Sequence, residues 1–236
     1  MKKRIFKSED RGSADHGWLK AKHSFSFANY YDPEKIRFGT LRVLNDDIVQ
    51  PKMGFGKHPH DNMEIVTIPL KGELAHEDST GNKEVIRQNE IQIMSAGSGL
   101  THSEFNNSNT EEVNLLQIWV FPKVKNIEPR YDQKVFDPSE RKNKIHTVVS
   151  PEKNDGILWI NQNAFFSISD TDKDVTLKYE VKSEGNGVYF FVIEGKVEID
   201  GEILNKRDAV GIEDTDSFEI NFKENSKVLF IEVPMN

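Results

Sequence analysis

The chain contains no cysteine. Disulfides, thiolate metal ligands and thiol nucleophiles are therefore excluded, and any bound metal must be held by nitrogen and oxygen. No apolar run approaches the ~18 residues of a membrane-spanning helix, so no membrane association is expected. The basic opening MKKRIFKSEDRGS has no apolar stretch behind it to make a secretory signal, which points to the cytoplasm. Nowhere does the spacing of apolar residues mark a long amphipathic helix. Glycine-rich phosphate loops, a nucleophile elbow and zinc-finger spacings are missing as well. Positive charge is in deficit: a formal net charge of −8 leaves no clustered Lys and Arg to neutralise phosphates, so direct nucleic-acid binding is not expected.

What remains is a soluble globular composition with an aromatic core, 36% hydrophobic and 30% charged with 15 phenylalanines. At 236 residues it suffices for one large or two modest domains. Short β-branched and aromatic runs alternate with Gly, Asn and Asp turns. Phe25, Phe27 and Tyr31 read as a strand entering an Asp32-Pro33 turn, and residues 39–44 as the next strand, with Asn45-Asp46-Asp47 as its turn. Residues 64–69 and 74–77 flank a tight hairpin at Lys71-Gly72. The Asp/Ser/Gly run at 78–81 is another turn, needing no calcium. Residues 113–121, apolar on both faces, read as a buried strand. Residues 122–144, with three prolines and many charges, read as a linker. Short strands resume beyond it, with clean alternation in Val175, Leu177, Tyr179 and Val181. Such a chain is an all-β barrel or sandwich.

Two motifs carry chemistry. His58-Pro59-His60 and His102-Ser103-Glu104 are both i, i+2 pairs, and residues two apart on a strand share a face. If the two segments are neighbouring strands, three imidazoles and a carboxylate converge, a donor set suited to a first-row transition metal. Pro59 holds His58 extended, and Gly54 and Gly56 suit a bulge beside a ligand strand. The halves also echo each other: PLKGEL at 69–74 matches VIEGKV at 192–197, and NEIQIM at 89–94 matches RDAVGI at 207–212. With these hairpins superposed, His58 falls at Val181, His60 at Ser183 and His102 at Ile220. The second copy has no ligands.

HPHDNMEIVTIPLKGELAHEDSTGN followed by MSAGSGLTHSE, with FSFANYYDP and LRVLNDDIV upstream, resembles the pirin family of the cupin superfamily. The likeness is dense from Arg11 to about Pro122 and looser beyond. It implies a bicupin, two cupin-type antiparallel β-barrels in one chain: residues 1–130 form an N-terminal barrel with the metal site, and residues 131–236 a C-terminal barrel without ligands. It implies one divalent transition metal on His58, His60, His102 and Glu104, with Fe(II) first and Mn, Co, Ni, Cu or Zn as alternatives. Many cupins take their carboxylate from a Glu just after the HxH, and Glu64 has the right parity. The pirin-like pattern selects Glu104, leaving Glu64 to support a ligand through a hydrogen bond.

The implied activity is oxidative cleavage of a flavonol such as quercetin, of 2,3-dioxygenase type. A small aromatic substrate and O2 are then the partners, with Glu104 as both ligand and proton acceptor. Two alternatives stand beside it: a metal-dependent regulator acting through a protein partner, and a cupin oxygenase with another small-molecule substrate. His76 reads either as support for a metal ligand or as an exposed strand histidine. His16, His23 and His146 lie in polar, irregular sequence and read as surface residues. Phe55, Met63 and Phe105 are expected to point away from the ligands into packing, while Trp119 or Met53 lines the pocket.

Overall fold

Turn residues decide where the strands stop. Gly72, at φ 75°, closes the hairpin expected there, and a Cβ on it would meet the Glu112 carbonyl at 2.8 Å. Asn89 and Arg207, at matching points of the two repeats, adopt nearly the same left-handed conformation, with φ 69° and 68°. The computed structural model describes residues 1–235. Among them the first half holds β1 (Lys2–Phe6), β2 (Gly12–Asp15), β3 (Leu19–His23), β4 (Leu41–Val49), β5 (Gly54–His60) and β6 (Glu64–Lys71). It continues with β7 (Glu73–Asp78), β8 (Lys83–Arg87), β9 (Glu90–Ser95), β10 (Leu100–Asn106), β11 (Val113–Val120) and β12 (Arg130–Val135). The second half holds β13 (His146–Ser150), β14 (Leu158–Trp159), β15 (Phe165–Thr171), β16 (Thr176–Glu180) and β17 (Asn186–Glu194). Its last strands are β18 (Lys196–Ile199), β19 (Glu202–Asn205), β20 (Ala209–Glu213), β21 (Ser217–Phe222) and β22 (Ser226–Pro234). Helical structure is confined to short 3-10 turns at Ser8–Asp10 and Pro138–Arg141.

The fold is all-β and consists of two cupin barrels. Each pairs a seven-stranded sheet with a four-stranded one: β12-β9-β6-β11-β4-β3-β2 with β5-β10-β7-β8, and β1-β20-β17-β22-β15-β13-β14 with β16-β21-β18-β19. Two strands depart from the expected division at residue 130. β1 pairs with β20 as an edge strand of the C-terminal barrel, and β12 pairs with β9 at the edge of the N-terminal one. The stretch read as a linker therefore contains a strand, because β9 offers an open edge of backbone donors and acceptors that an extended segment satisfies.

Strand alternation sorts residues between distinct cores. On β6, Val66 and Ile68 join Leu116 and Ile118 of β11 and Phe191, Leu229 and Ile231 of the other barrel in one core between the two large sheets. Ile65 points the other way, into the N-terminal barrel, where it packs with Met94 and Leu100. The C-terminal barrel is filled by apolar side chains such as Tyr179, Phe190, Phe218, Ile220 and Phe230. There the ladder partner of Ile220 is Leu177, whereas hairpin superposition assigns Val181 opposite it. Either way the position opposite Ile220 is apolar.

Two local expectations fail. The strand lies at Leu19–His23, while Phe25 to Tyr31 is mostly irregular, with a single bridge between Phe27 and Tyr30. Asn45-Asp46-Asp47 is no turn: it runs through the middle of β4, hydrogen-bonded to β11 on one side and β3 on the other. Ladder bonds on both sides satisfy the backbone there, and the Asn45 and Asp46 side chains find partners inside the protein.

Candidate metal centre

β5 and β10 are neighbours, with His58 directly opposite His102. The rings of His58, His60 and His102 stand 4.4 to 4.9 Å apart between centroids, and their candidate donor atoms lie within 4.8 Å of one another. Glu104 is grouped in the same way with His102 and His76. A bulge explains the local shape. Between the pairs His58–His102 and Phe55–Glu104, β5 carries one residue more than β10, so strict alternation breaks at Gly56-Lys57. His58 Nδ1 donates to the Gly56 carbonyl at 2.8 Å, which leaves Nε2 as its free donor atom.

The other ligand candidates are fixed from behind. Gln117 Nε2 donates to Glu104 Oε2 at 2.8 Å, and Thr67 Oγ1 donates to Gln117 Oε1 at 3.1 Å. His76 lies opposite Glu104 on β7, buried, with Nδ1 3.5 Å from His102 Nδ1 and Nε2 3.2 Å from Asp78 Oδ2. It is not an exposed strand histidine. Burial would raise the Asp78 carboxyl, yet hydrogen bonds from Asn82, Thr80 and His76 hold it well below the usual range. Among the candidate ligands, two enclosed atoms lack hydrogen-bond partners: His102 Nε2 and Glu104 Oε1. A bound cation satisfies both at once, so the donor set fits a metal.

Burial sets the protonation of the site. It drives His60 down to about 4, helped by His58, and lowers His102 further with help from His58, His60 and His76. The imidazoles of His60 and His102 are thus neutral near pH 7, with lone pairs available to a metal. Burial pushes Glu104 up to about 7 against the hydrogen bond from Gln117. Asp47 rises to about 8 through burial and the nearby Asp46 and Glu104.

A cavity of about 250 Å³ adjoins the histidines, walled by Phe27, Phe55, Ile65 and Trp119 and by polar Asn45, Asp47 and Gln117. The chain is similar to known proteins over nearly its whole length. A family model described as Pirin matches residues 5–120, and one described as the quercetinase C-terminal cupin domain matches residues 147–233. The chain is 42% identical to a quercetin 2,3-dioxygenase of Escherichia coli (strain K12), over 97% of each chain. The chain belongs to the pirin family. A pirin-like protein of Caulobacter vibrioides is 39% identical over 94% of this chain and 95% of its own. A bacterial pirin from Escherichia coli, solved in complex with nickel(II), superposes with a TM-score of 0.93 at 39% identity over 99% of each chain.

Around this pirin site the remaining sequence candidates separate. Glu64 is not brought to the histidines: it shares the face of Val66 and Ile68, and its Oε2 accepts from Ser95 Oγ at 2.8 Å and the Asn161 amide at 3.1 Å. Phe55 lines the cavity, because the bulge turns it to the ligand side. Phe105 is 40% exposed, and Met63 packs against the cluster of Ile65, Met94 and Leu100. Trp119 lines the cavity 4.9 Å from the His60 ring, while Met53 is exposed outside it. His16 is exposed and His146 half-buried, but His23 is buried and hydrogen-bonded to Asn45. Sequence reading also missed Asn45, Asp47, Thr67 and Gln117. The alternation Val43, Asn45, Asp47, Val49, polar residues framed by valines on one strand face, was the available signal.

Proposed function

We propose that this pirin is a metal-dependent dioxygenase that cleaves flavonols such as quercetin, at a mononuclear centre held by His58, His60, His102 and Glu104. The observation carrying this reading is that His58, His60, His102 and the buried Glu104 all line one aromatic-walled cavity, with the three imidazoles clustered there. The chain is quercetin 2,3-dioxygenase-like over 97% of its length. Fe(II) is the proposed metal; the donors also accept Mn, Co, Ni, Cu and Zn. We place the protein in the cytoplasm, and among the described residues no helix is long and apolar enough to cross a membrane.

When bound, the metal supplies a Lewis acid with open positions for the flavonol oxygens and for the reaction with O2. The chain's own residues do the rest. Phe27, Phe55 and Trp119 offer flat apolar faces to a planar ring. Glu104, whose burial strengthens its grip on a proton, accepts the proton of the 3-hydroxyl. Gln117 fixes Glu104 Oε2 and so leaves Oε1 to turn toward the cavity. His76 and Asp78 hold the His102 ring with its Nε2 free.

Metal-loaded protein should consume quercetin only in the presence of O2, with loss of the flavonol absorbance and release of carbon monoxide. The His102→Ala protein should be inactive in the same assay, which controls for oxidation by free metal. No turnover above that variant with any of these metals supplied would overturn the dioxygenase reading in favour of a regulatory role or another substrate.

A further inference from the structure

The cavity has two unlike ends. Half-buried Phe27, Phe55 and Trp119 stand at its more exposed side with His58 and His60. Its floor is polar and fully enclosed, and the floor does not stop at Glu104 and Gln117. Asn45 and Asp47, 3% and 4% exposed, continue it along β4. Being two residues apart on one strand, they project side by side.

Neither belongs to the set of side chains able to hold the metal, yet both present unspent hydrogen-bonding capacity. The Asn45 oxygen is taken by His23 Nδ1 at 2.9 Å, which directs the amide NH2 away from His23. Asp47 Oδ1 is enclosed without a partner. A buried carboxyl oxygen left this way is unfavourable unless something else completes it. Glu104 Oε1 has the metal for that purpose; Asp47 does not.

We propose that Asn45 and Asp47 read a second oxygen on the substrate edge that enters the cavity. The substrate class is then a planar aromatic whose inserted edge carries a hydroxyl beside its metal-binding oxygens. A hydroxyl both donates and accepts, which matches a carboxyl oxygen and an amide NH2 standing next to each other. Resting on the flavonol reading above, this hydroxyl is the one at position 5, which shares an edge with the 3-hydroxyl and the 4-carbonyl. A flavonol without it leaves Asp47 Oδ1 buried and unpaired, and sites built around a polar group reject ligands that lack it.

Quercetin and fisetin test this, since fisetin is quercetin without the 5-hydroxyl. Their affinities for nickel(II)-loaded protein are measured without O2 by quenching of tryptophan fluorescence, Trp119 being the cavity reporter. The wild type should bind quercetin at least about tenfold more tightly, the worth of one buried hydrogen bond and its desolvation. Asp47→Ala should bring the two affinities to within about twofold while metal stays at about one per chain. Asn45→Ala should move the ratio the same way, and it carries the test if Asp47→Ala does not fold. A wild-type ratio near one, or a ratio unchanged in both variants, overturns the proposal. Discrimination without O2-dependent loss of quercetin sinks the dioxygenase reading and leaves this one standing, whereas turnover without discrimination does the reverse.

Discussion

Glu64 and Glu104 are equivalent by strand parity within their own segments, and they finish in different cores. Glu104 faces the histidines with one oxygen held by Gln117, while Glu64 faces the second barrel and anchors the Asn161 amide. Burial raises the Glu64 carboxyl, against the pull of Asn161, Ser95 and Arg130. Substitution separates them. Glu104→Gln should weaken metal binding by at least about tenfold, because a charged ligand is lost. Glu64→Ala should keep the metal and cost about 1–3 kcal/mol of stability, because it strips buried donors of their acceptor. Metal titration and urea unfolding of both variants decide the matter: metal loss confined to Glu64→Ala would move the carboxylate ligand to that position. The histidine pairs were legible because i, i+2 spacing survives whatever the strand packs against. Glu64 was not, since parity names a face without saying which core that face meets.

Irregularities in the strands matter more here than the strands themselves. The bulge in β5 turns Phe55 toward the cavity and places the Gly56 carbonyl under His58, so a single extra residue both supplies a wall and orients a candidate ligand. β1 is the larger surprise. Its residues lie among the first in the chain, yet they form the ladder Lys2–Glu213 to Phe6–Ala209 with the C-terminal barrel. Phe6 packs its ring 5.2 Å from Tyr189 and 6.0 Å from Phe25. Phe6→Ala should therefore lower stability by about 3–5 kcal/mol, read by urea unfolding, with metal content unchanged. Loss of the metal at equal protein folding would show instead that β1 supports the N-terminal site.

The two barrels share more than a linker. The core between their large sheets draws on both, and a buried charge cluster stitches it: Asp46 of β4 meets Arg207 at 2.9 Å and Arg11 at 3.7 Å. With β1 contributed to the C-terminal barrel as well, neither barrel can bury its apolar surface alone. Calorimetry of the metal-free protein should show one cooperative transition, and residues 131–236 expressed alone should lack the far-ultraviolet signature of ordered sheet. Two resolved transitions, or a folded fragment, would mean that the barrels are independent.

The amino-acid sequence by itself determined the all-β class and the duplication, and it named the candidate ligands His58, His60, His102 and Glu104. Those features are local: turn residues, alternation and i, i+2 spacing act within a few residues of one another. Only the tertiary structure decided that Asn45 and Asp47 floor a cavity, that Glu64 belongs to the interface, that β1 crosses to the C-terminal barrel and that β12 edges the N-terminal one. Each of these depends on which sheet lies against which face. An Asn-Asp-Asp run forms a turn when water satisfies it and a strand when flanking ladders do, and the sequence names neither partner.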